Sequence, residues 1–337
     1  MVALYASHGH VIPQPAEAEL PQKIHDWPTP RIGGVAVFIG VAAAAVASDS
    51  FLTGQLLGIC LIALGVGLWE DLTHRVSPTT RYVAALITGA AAFVLVNAQI
   101  VRLDIGWFDP LLRFWPVSLA LTVFAIASFA HATNLTDGLH GLSAGLTSIA
   151  LIAIAAVASK VGDAELAATC WILTGALFGF LAFNFPWGRI FLGDGGAYLS
   201  GSLLALLAIL LVQRNPSVSA WFALLVLAHP VAETLLTVVR RVAVHQTPIG
   251  RPDRLHLHTL LYHSLLWMHP LETAAIRQRC NVSATAILLS INATMALVTV
   301  MHWQQRTWLI TQFLAFAALF VLTWYSLIRR MQKSIPT

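Results

Sequence analysis

The sequence predicts an all-α integral membrane protein that crosses the bilayer about ten times, with both termini in the cytoplasm. Of its 337 residues, 58% are hydrophobic and only 10% are charged, and the mean hydropathy is +0.76. Soluble domains contain about a quarter charged residues. The apolar residues also form runs of roughly 20, the length at which a helix crosses a bilayer core. Together these features exclude a water-soluble globule and a disordered chain.

Ten stretches with few or no charges are long enough to cross a membrane. Each is too long for an ordinary strand, and a helix satisfies its own backbone hydrogen bonds in hydrocarbon. In chain order, the predicted spans lie near residues 32–48, 51–69, 82–101, 117–135, 142–159, 167–185, 196–213, 217–238, 282–301 and 307–328.

Lys and Arg set the predicted orientation. With the N-terminus inside, fourteen of the 19 basic residues fall on the cytoplasmic side, as the positive-inside rule requires. The net charge of +4 and the pI near 9.2 then reflect loops beside anionic lipid, and no nucleic-acid partner is indicated. We therefore expect a multi-pass membrane protein with its basic loops in the cytoplasm. The sequence leaves the oligomeric state open, and a homodimer is one option.

The chain is expected to form one membrane domain. Residues 1–30 hold five prolines and no apolar run, which predicts a cytoplasmic segment without a signal peptide or a span. The transmembrane domain covers residues 31–330, with one long cytoplasmic loop at 239–281. Residues 331–337 form a cytoplasmic tail.

Four acids gather near the predicted cytoplasmic face. Only 15 Asp and Glu are present, and a third of them fall in turns on the other side. Glu70 and Asp71 end the second span, Asp137 follows the fourth, and Asp194 precedes the seventh. Two acids at a helix C-terminus oppose the helix dipole by up to about 1 kcal/mol each, so a positive group such as Arg75, Arg81 or a metal ion should compensate.

The acids also have simpler structural interpretations. Asp194, before two glycines, could be the N-cap of the seventh helix, and Asp137, before Gly138, could belong to a turn. Because the acids lie at the ends of three different helices, a shared cation site is favoured over these readings. Oxygen donors without clustered Cys or His suit Mg²⁺, or alternatively Mn²⁺, and this indicates phosphate chemistry. Asn134 could supply an amide oxygen or a helix cap.

The long loop contains a second group of polar residues. Between Gly250 and Thr259, two Arg and two His form a candidate clamp for a phosphoryl group, with Asp253 able to orient a neighbour. A basic patch that holds lipid headgroups is an equal alternative. His131 and His229 lie inside apolar runs and are expected to be packed helix residues.

With these residues assembled, the chain resembles the polyprenyl-phosphate N-acetylhexosamine-1-phosphate transferases, also called glycosyltransferase family 4. Five segments carry the resemblance in order: Lys23-Ile-His-Asp-Trp-Pro-Thr-Pro-Arg-Ile-Gly-Gly34, Glu70-Asp71, Asn134-Leu-Thr-Asp-Gly-Leu-His-Gly-Leu142, Asn184-Phe-Pro-Trp-Gly-Arg-Ile-Phe-Leu-Gly-Asp194 and Pro252-Asp-Arg-Leu-His-Leu-His258. Any one segment would be weak evidence, but together they are specific.

The resemblance implies a Mg²⁺-dependent transfer of a sugar 1-phosphate from a UDP-sugar to a membrane polyprenyl phosphate, releasing UMP. This is the first membrane step in making a bacterial surface glycan or cell wall. The roles implied for individual residues are as follows: Asp194 and Asn134 bind the metal, Glu70 and Asp71 position or deprotonate the lipid phosphate, Asp137 serves the nucleotide-sugar site, and Arg254, His256, His258 and, as a lesser candidate, Arg189 bind phosphate.

The sequence departs from the family pattern at three positions. Glu70 replaces an aspartate, His140 replaces a second aspartate, and Thr259 replaces a histidine. These changes favour, as the alternative, a catalytically impaired member that binds lipid carrier or partners. A secondary transporter is less compatible, because transporters place ionisable residues near the bilayer midplane and here only Glu233 falls within a predicted span.

Overall fold

The computed structural model describes residues 29–245, 255–269 and 271–333, and all regular secondary structure in these ranges is helical. A short 3-10 helix, Asp109–Arg113, lies in the loop before the fourth α-helix, and a π-helical turn, Arg240–His245, extends the ninth. The α-helices are α1 Gly33–Ala47, α2 Phe51–Thr73, α3 Pro78–Leu95, α4 Trp115–Leu135, α5 Leu142–Lys160, α6 Ala164–Asn184, α7 Gly193–Arg214, α8 Ala220–Val226, α9 Ala228–Val239, α10 Leu257–Leu266, α11 Ala274–Met301 and α12 Arg306–Lys333.

The predicted all-α membrane fold is confirmed, and each of the ten predicted segments contains a helix, although the third, predicted at 82–101, is helical only to Leu95. Within the described ranges, eight helices are long and apolar enough to cross a bilayer, namely α2 to α7, α11 and α12. The first predicted span is shorter than expected: α1 has 15 residues, about 22 Å at 1.5 Å per residue, against a hydrocarbon core of about 30 Å. The orientation in the membrane and the cytoplasmic termini stay predictions.

The eighth predicted span is not one straight helix. It consists of α8 and α9, which are bent by 75° relative to each other and would count as a ninth span. The break after Val226 has a physical cause in Pro230, because a proline ring clashes with the carbonyl of the residue four positions earlier and has no N–H to bond with it. The bend directs α9 away from the course a continuous helix would take.

Helix α7 lies at the centre of the bundle, with every residue of its most apolar stretch buried inside the protein. Its first turn touches the backbones of α1 and α2, and only glycines permit this approach. A Cβ on Gly34 would lie 2.3 Å from the backbone nitrogen of Gly196, and one on Gly67 would lie 2.6 Å from the Cα of Gly195. These close contacts bring the C-terminal end of α2 against the N-terminal end of α7.

Candidate functional site

The N-terminus of α7 is the point at which the predicted acids converge. Asp71, on α2, is only 8% exposed. Its Oδ1 accepts a hydrogen bond from the backbone N–H of Asp194, and its Oδ2 accepts one from the N–H of Gly195, each at 2.9 Å. These are N–H groups that a helix start cannot bond internally. Asp71 therefore caps α7 from a neighbouring helix, and Asp194 does not cap it.

Gly193 makes this arrangement possible. Its φ of +74° lies in the left-handed region, where glycine carries no steric penalty. A Cβ at this position would also lie 2.6 Å from Oδ2 of Asp71. The glycine before Asp194 is thus required both for the turn into α7 and for the approach of the Asp71 carboxylate.

Asp137 joins the same helix end from the loop after α4. The backbone N–H of Gly193 bonds to its carboxyl group. Burial, together with the neighbouring charge of Asp71, raises the pKa of Asp137 to about 7, although Arg31 and the Gly193 bond oppose the shift. A group with this pKa changes charge near neutral pH, which is common at functional sites.

The Asp194 side chain points from α7 toward α3 and α4. Its Oδ1 accepts a hydrogen bond from Nδ2 of Asn134 at 2.9 Å. Its Oδ2 forms an ion pair with Nη1 of Arg81, and both side chains are less than one fifth exposed. Arg81 was one of the cations expected to offset the acids at the end of α2, and in the structure it neutralises Asp194.

Glu70 has a local structural partner. Its Oε2 accepts a hydrogen bond from the backbone N–H of Val76 at 2.7 Å. This bond closes the turn between α2 and α3, in which His74 adopts the left-handed conformation with φ of +53°. Glu70 thus shapes the loop that carries the chain from Asp71 toward Arg81.

The two loop histidines lie close to these acids. The rings of His256 and His258 are stacked, with centroids 5.4 Å apart and planes 6° from parallel. A Cβ on Gly138 would lie 2.3 Å from Nε2 of His258, so this ring rests against the turn that follows Asp137. Burial lowers the pKa of His258 to about 3, and the ring is therefore neutral at physiological pH.

A large cavity of about 1160 Å³ opens beside this cluster. One end is polar and is lined by Arg81, Asn134, Asp194, Arg241 and His256. From there the cavity runs between α3, α4, α7 and α9 along mostly apolar side chains such as Phe124, Leu227 and Leu235, as far as residues 99–103 beyond the other end of α3. It therefore connects the polar cluster with a long apolar channel through the bundle.

One residue of the expected site, Arg189, lies away from the acids. Arg189 is exposed on the loop before α7, where its guanidinium carbon lies 5.1 Å from the centroid of the Trp187 ring instead of against the acids. Arg254 lies outside the described residues. His140, which replaces an aspartate of the family pattern, is buried, and its Nδ1 lies 3.1 Å from the carbonyl oxygen of Pro186. This contact joins the loop before α5 to the loop before α7. Burial also lowers the pKa of His140.

Sequence reasoning gave no role in the site to Glu233 and Arg241. Glu233 bonds to His256, and Arg241 is 5% exposed and lines the polar end of the cavity. The signal for Glu233 was its position, because it is the one acid inside a predicted span. Arg241 is adjacent to Arg240 at the end of α9, and the pair reads in sequence as an ordinary basic membrane flank.

A carboxylate and an amide, whose oxygens are donor types that Mg²⁺ prefers, lie side by side in this cluster, where Arg81 pairs with the Asp194 carboxylate. Within the described ranges, no three His, Cys, Asp or Glu side chains form a group that could hold a metal ion by themselves. The carboxylate of Asp194 lies next to the amide of Asn134 at the polar end of the cavity. Mg²⁺ commonly uses one or two protein carboxylates and completes its shell with water and substrate phosphate oxygens.

Comparison with known proteins agrees with this arrangement. The sequence model described as "Glycosyl transferase family 4" matches residues 53–212. The chain is 30% identical over 249 residues to a probable undecaprenyl-phosphate N-acetylglucosaminyl 1-phosphate transferase of Bacillus subtilis, covering 70% of this chain and 66% of the relative. It is 30% identical over 268 residues to a decaprenyl-phosphate N-acetylglucosaminephosphotransferase of Mycolicibacterium smegmatis, covering 70% and 65%.

A third relative is a phospho-N-acetylmuramoyl-pentapeptide-transferase of Trichormus variabilis, 32% identical over 259 residues, which cover 70% of this chain and 67% of the relative. The aligned part of the chain spans slightly less than two thirds of the first two relatives.

The fold and the site define a multi-pass helical membrane protein in which a charged site at one end of the bundle opens into an apolar cavity. The chain belongs to glycosyl transferase family 4.

Proposed function

We propose that this protein transfers an N-acetylhexosamine 1-phosphate from a UDP-sugar to a polyprenyl phosphate and releases UMP. The observation that carries this proposal is that polar and apolar side chains line different parts of a single cavity. A cluster of charged and hydrogen-bonding side chains, suited to phosphates, forms one end of a cavity whose remaining walls are mostly apolar. A lipid phosphate is a ligand with the same two parts.

The apolar part of the cavity accounts for the lipid tail. It lies within the bundle of predicted spans and follows the length of α3, an 18-residue helix of about 27 Å. A polyprenyl chain fits the apolar part of the cavity, where it packs against the apolar side chains of the wall. Its phosphate then stays at the polar end, near Arg81 and Arg241. Two bacterial relatives are named for undecaprenyl phosphate and decaprenyl phosphate.

The basic side chains account for the reaction partners. Both the attacking and the attacked groups are phosphates, and two like charges 4 Å apart repel by roughly 1 kcal/mol in water and about 4 kcal/mol at an effective dielectric of 20. Arg81 and Arg241 line the polar end of the cavity and can offset this repulsion, and His256 can donate or accept a hydrogen bond there.

The chemical step needs little help from a base. An oxygen of the lipid phosphate attacks the β-phosphorus of the UDP-sugar, a new P–O bond forms, and the bond to the α-phosphate breaks to release UMP. A phosphate monoester has its second pKa near 6 and is mostly ionised at pH 7. Glu70 and Asp71 are therefore proposed to position the site and not to take up a proton, which agrees with the backbone N–H groups that they already bind.

Asp194, with Asn134 beside it, is proposed to hold Mg²⁺. When bound, the ion would neutralise charge on the diphosphate. Asp137 precedes Gly138 and the His258 ring rests against Gly138; these two side chains are proposed to form the sugar-nucleotide side. The lipid-phosphate side and the sugar-nucleotide side would then lie on either side of the α7 N-terminus, at the cytoplasmic face of a bacterial inner membrane.

The test is UMP release by the purified protein in detergent or nanodiscs, with a polyprenyl phosphate, Mg²⁺ and a panel of UDP-sugars. We expect release that a metal chelator stops and that Asp194→Ala abolishes. The matched control is Glu165→Ala, which removes an exposed acid from the first turn of α6 at the far end of the bundle and should leave release within about twofold. If no UDP-sugar yields UMP while the lipid still binds, the protein is the impaired family member and the proposal is wrong.

A further inference from the structure

Glu233 is an acid in the bent span, on α9, and its side chain is only 2% exposed. A carboxylate in such a place is costly unless hydrogen bonds satisfy it. Replacing a buried ionic group with a well-packed apolar one is often neutral or stabilising, so packing alone gives no reason for an acid here. The contacts of Glu233 point to a role in the site.

Within the described residues, a single oxygen of Glu233 accepts two hydrogen bonds. Oε1 accepts a hydrogen bond from Nδ1 of His256 at 2.8 Å and from the backbone N–H of Leu257 at 2.9 Å. Leu257 is the first residue of α10, so its N–H has no partner within that helix. Glu233 thus joins the bent span both to the start of α10 and to the ring of the residue before it.

His256 connects this buried acid with the cavity. Its ring lines the polar end, in the same wall as Arg81 and Asp194, and it is stacked on the ring of His258. Because Nδ1 is engaged by Glu233, Nε2 is the ring nitrogen left for a ligand in the cavity. A carboxylate that holds the opposite nitrogen of a histidine fixes both its tautomer and its orientation.

We propose that Glu233 is a positioning residue for the transfer reaction. Its carboxylate accepts the Nδ1 proton of His256 and fixes the ring, so that Nε2, protonated when the substrate is bound, donates a hydrogen bond to a phosphate oxygen in the cavity. The stacked His258 keeps its place beside the Gly138 turn. This inference rests on the proposed function for the identity of the ligand. The bond between Glu233 and His256 stands independently of it.

A double-mutant cycle tests the proposal through kcat/KM for UMP release. Glu233→Gln keeps the shape and removes the charge, and we expect a loss of roughly 10- to 100-fold, the usual effect of removing a group that orients a functional histidine. His256→Ala should lose at least as much. If Glu233 acts through His256, the double variant matches His256→Ala within about twofold, whereas losses that multiply overturn the proposal.

Asn292→Leu is the matched control for disturbing α9. Asn292 is a buried amide on α11, and its Nδ2 lies 3.1 Å from Nδ1 of His229. His229 lies on α9 one helical turn before Glu233. The hydrogen bonds of the Asn292 side chain within the described residues go to His229 and Leu288, and neither site histidine is among its partners. Any loss that it causes should multiply with that of His256→Ala. If it instead shows the same lack of additivity as Glu233→Gln, the coupling is a general property of α9 and the positioning role is wrong.

Nitrogen NMR of protein labelled with ¹⁵N-histidine gives a readout that needs no turnover. We expect the His256 ring, assigned by its loss in His256→Ala, to carry a proton on Nδ1 in the wild-type protein. An unprotonated Nδ1 overturns the proposal, whether or not Glu233→Gln folds. If no UDP-sugar is turned over but Nδ1 is protonated, the proposed function fails and the geometric inference stands.

Discussion

Asp71 gives the sharpest test of how the acids divide their roles. Its two carboxylate oxygens each accept one backbone N–H at the start of α7. Hydrogen bonds to a charged group contribute about 1.5–3 kcal/mol each. Asp71→Asn keeps one acceptor oxygen and turns an NH₂ group toward the other N–H, so we expect the free energy of unfolding to fall by about 2 kcal/mol. Asp71→Ala loses both bonds, and about 3–4 kcal/mol is expected.

Thermal and denaturant unfolding in one detergent would measure these losses, and hydrogen exchange at the amides of Asp194 and Gly195 would localise them. Asp163→Asn is the control. Asp163 caps α6 through a bond from Leu166, accepts a bond from Asn215 and lies 3.7 Å from Nη1 of Arg214. Because Asn is an equally good capping residue and a long, partly exposed ion pair contributes little, a change below about 1 kcal/mol is expected. An Asp71→Asn protein that is inactive yet as stable as wild type, with both amides still protected, would refute the capping role and restore Asp71 as a group that acts on substrate.

Three further outcomes follow from the packing. Gly195→Ala should lose about 1–3 kcal/mol of stability, because its Cβ would meet the α2 backbone at 2.9 Å, whereas Gly179→Ala, with open space around it, should be neutral or stabilising in the same unfolding assay. Ala125→Phe, in the cavity wall, should raise KM for a long prenyl phosphate at least tenfold more than for the UDP-sugar, and Ala168→Phe on an exposed face should change neither. For Asp104, burial raises the pKa, but hydrogen bonds that lower the pKa outweigh it. The ionised Asp104 therefore stabilises the fold at pH values above its unfolded pKa of about 3.9. In an acid titration of the unfolding free energy, this contribution should be lost as the pH falls through the lower folded pKa, and it should be absent in Asp104→Asn.

The helical segments were predictable because a bilayer imposes a length on apolar runs. The prediction was wrong in detail at the end of α3, which stops at Leu95 and not at residue 101, and at the break between α8 and α9. Both have the same origin: composition reports whether a segment is apolar, but it does not report where a helix stops. Pro230 was visible in the sequence, yet prolines are tolerated in membrane helices when neighbours satisfy the freed groups, so the bend itself required the three-dimensional structure.

The site was predictable to the level of its members but not of their contacts. Asp71, Asp137 and Asp194 were expected to share one site because they end three different helices, and the structure brings them to the first turn of α7. That Asp71 caps this helix while Asp194 does not could not be read from Asp-Gly-Gly, which is an ordinary N-cap pattern. The distinction depends on the close approach of α2 through Gly67, a contact that no local pattern reports.

The scarcity of charge in this chain also explains why the residues missed by sequence reasoning are the buried ones. A solvated acid needs no partner, whereas Glu233 at 2% exposure requires donors, and the described donors to it are His256 and the start of α10. The cost of burying the carboxylate is thereby coupled to the placement of a ring in the cavity wall. The bend after Val226 is therefore part of the site, because a straight span would carry Glu233 away from His256.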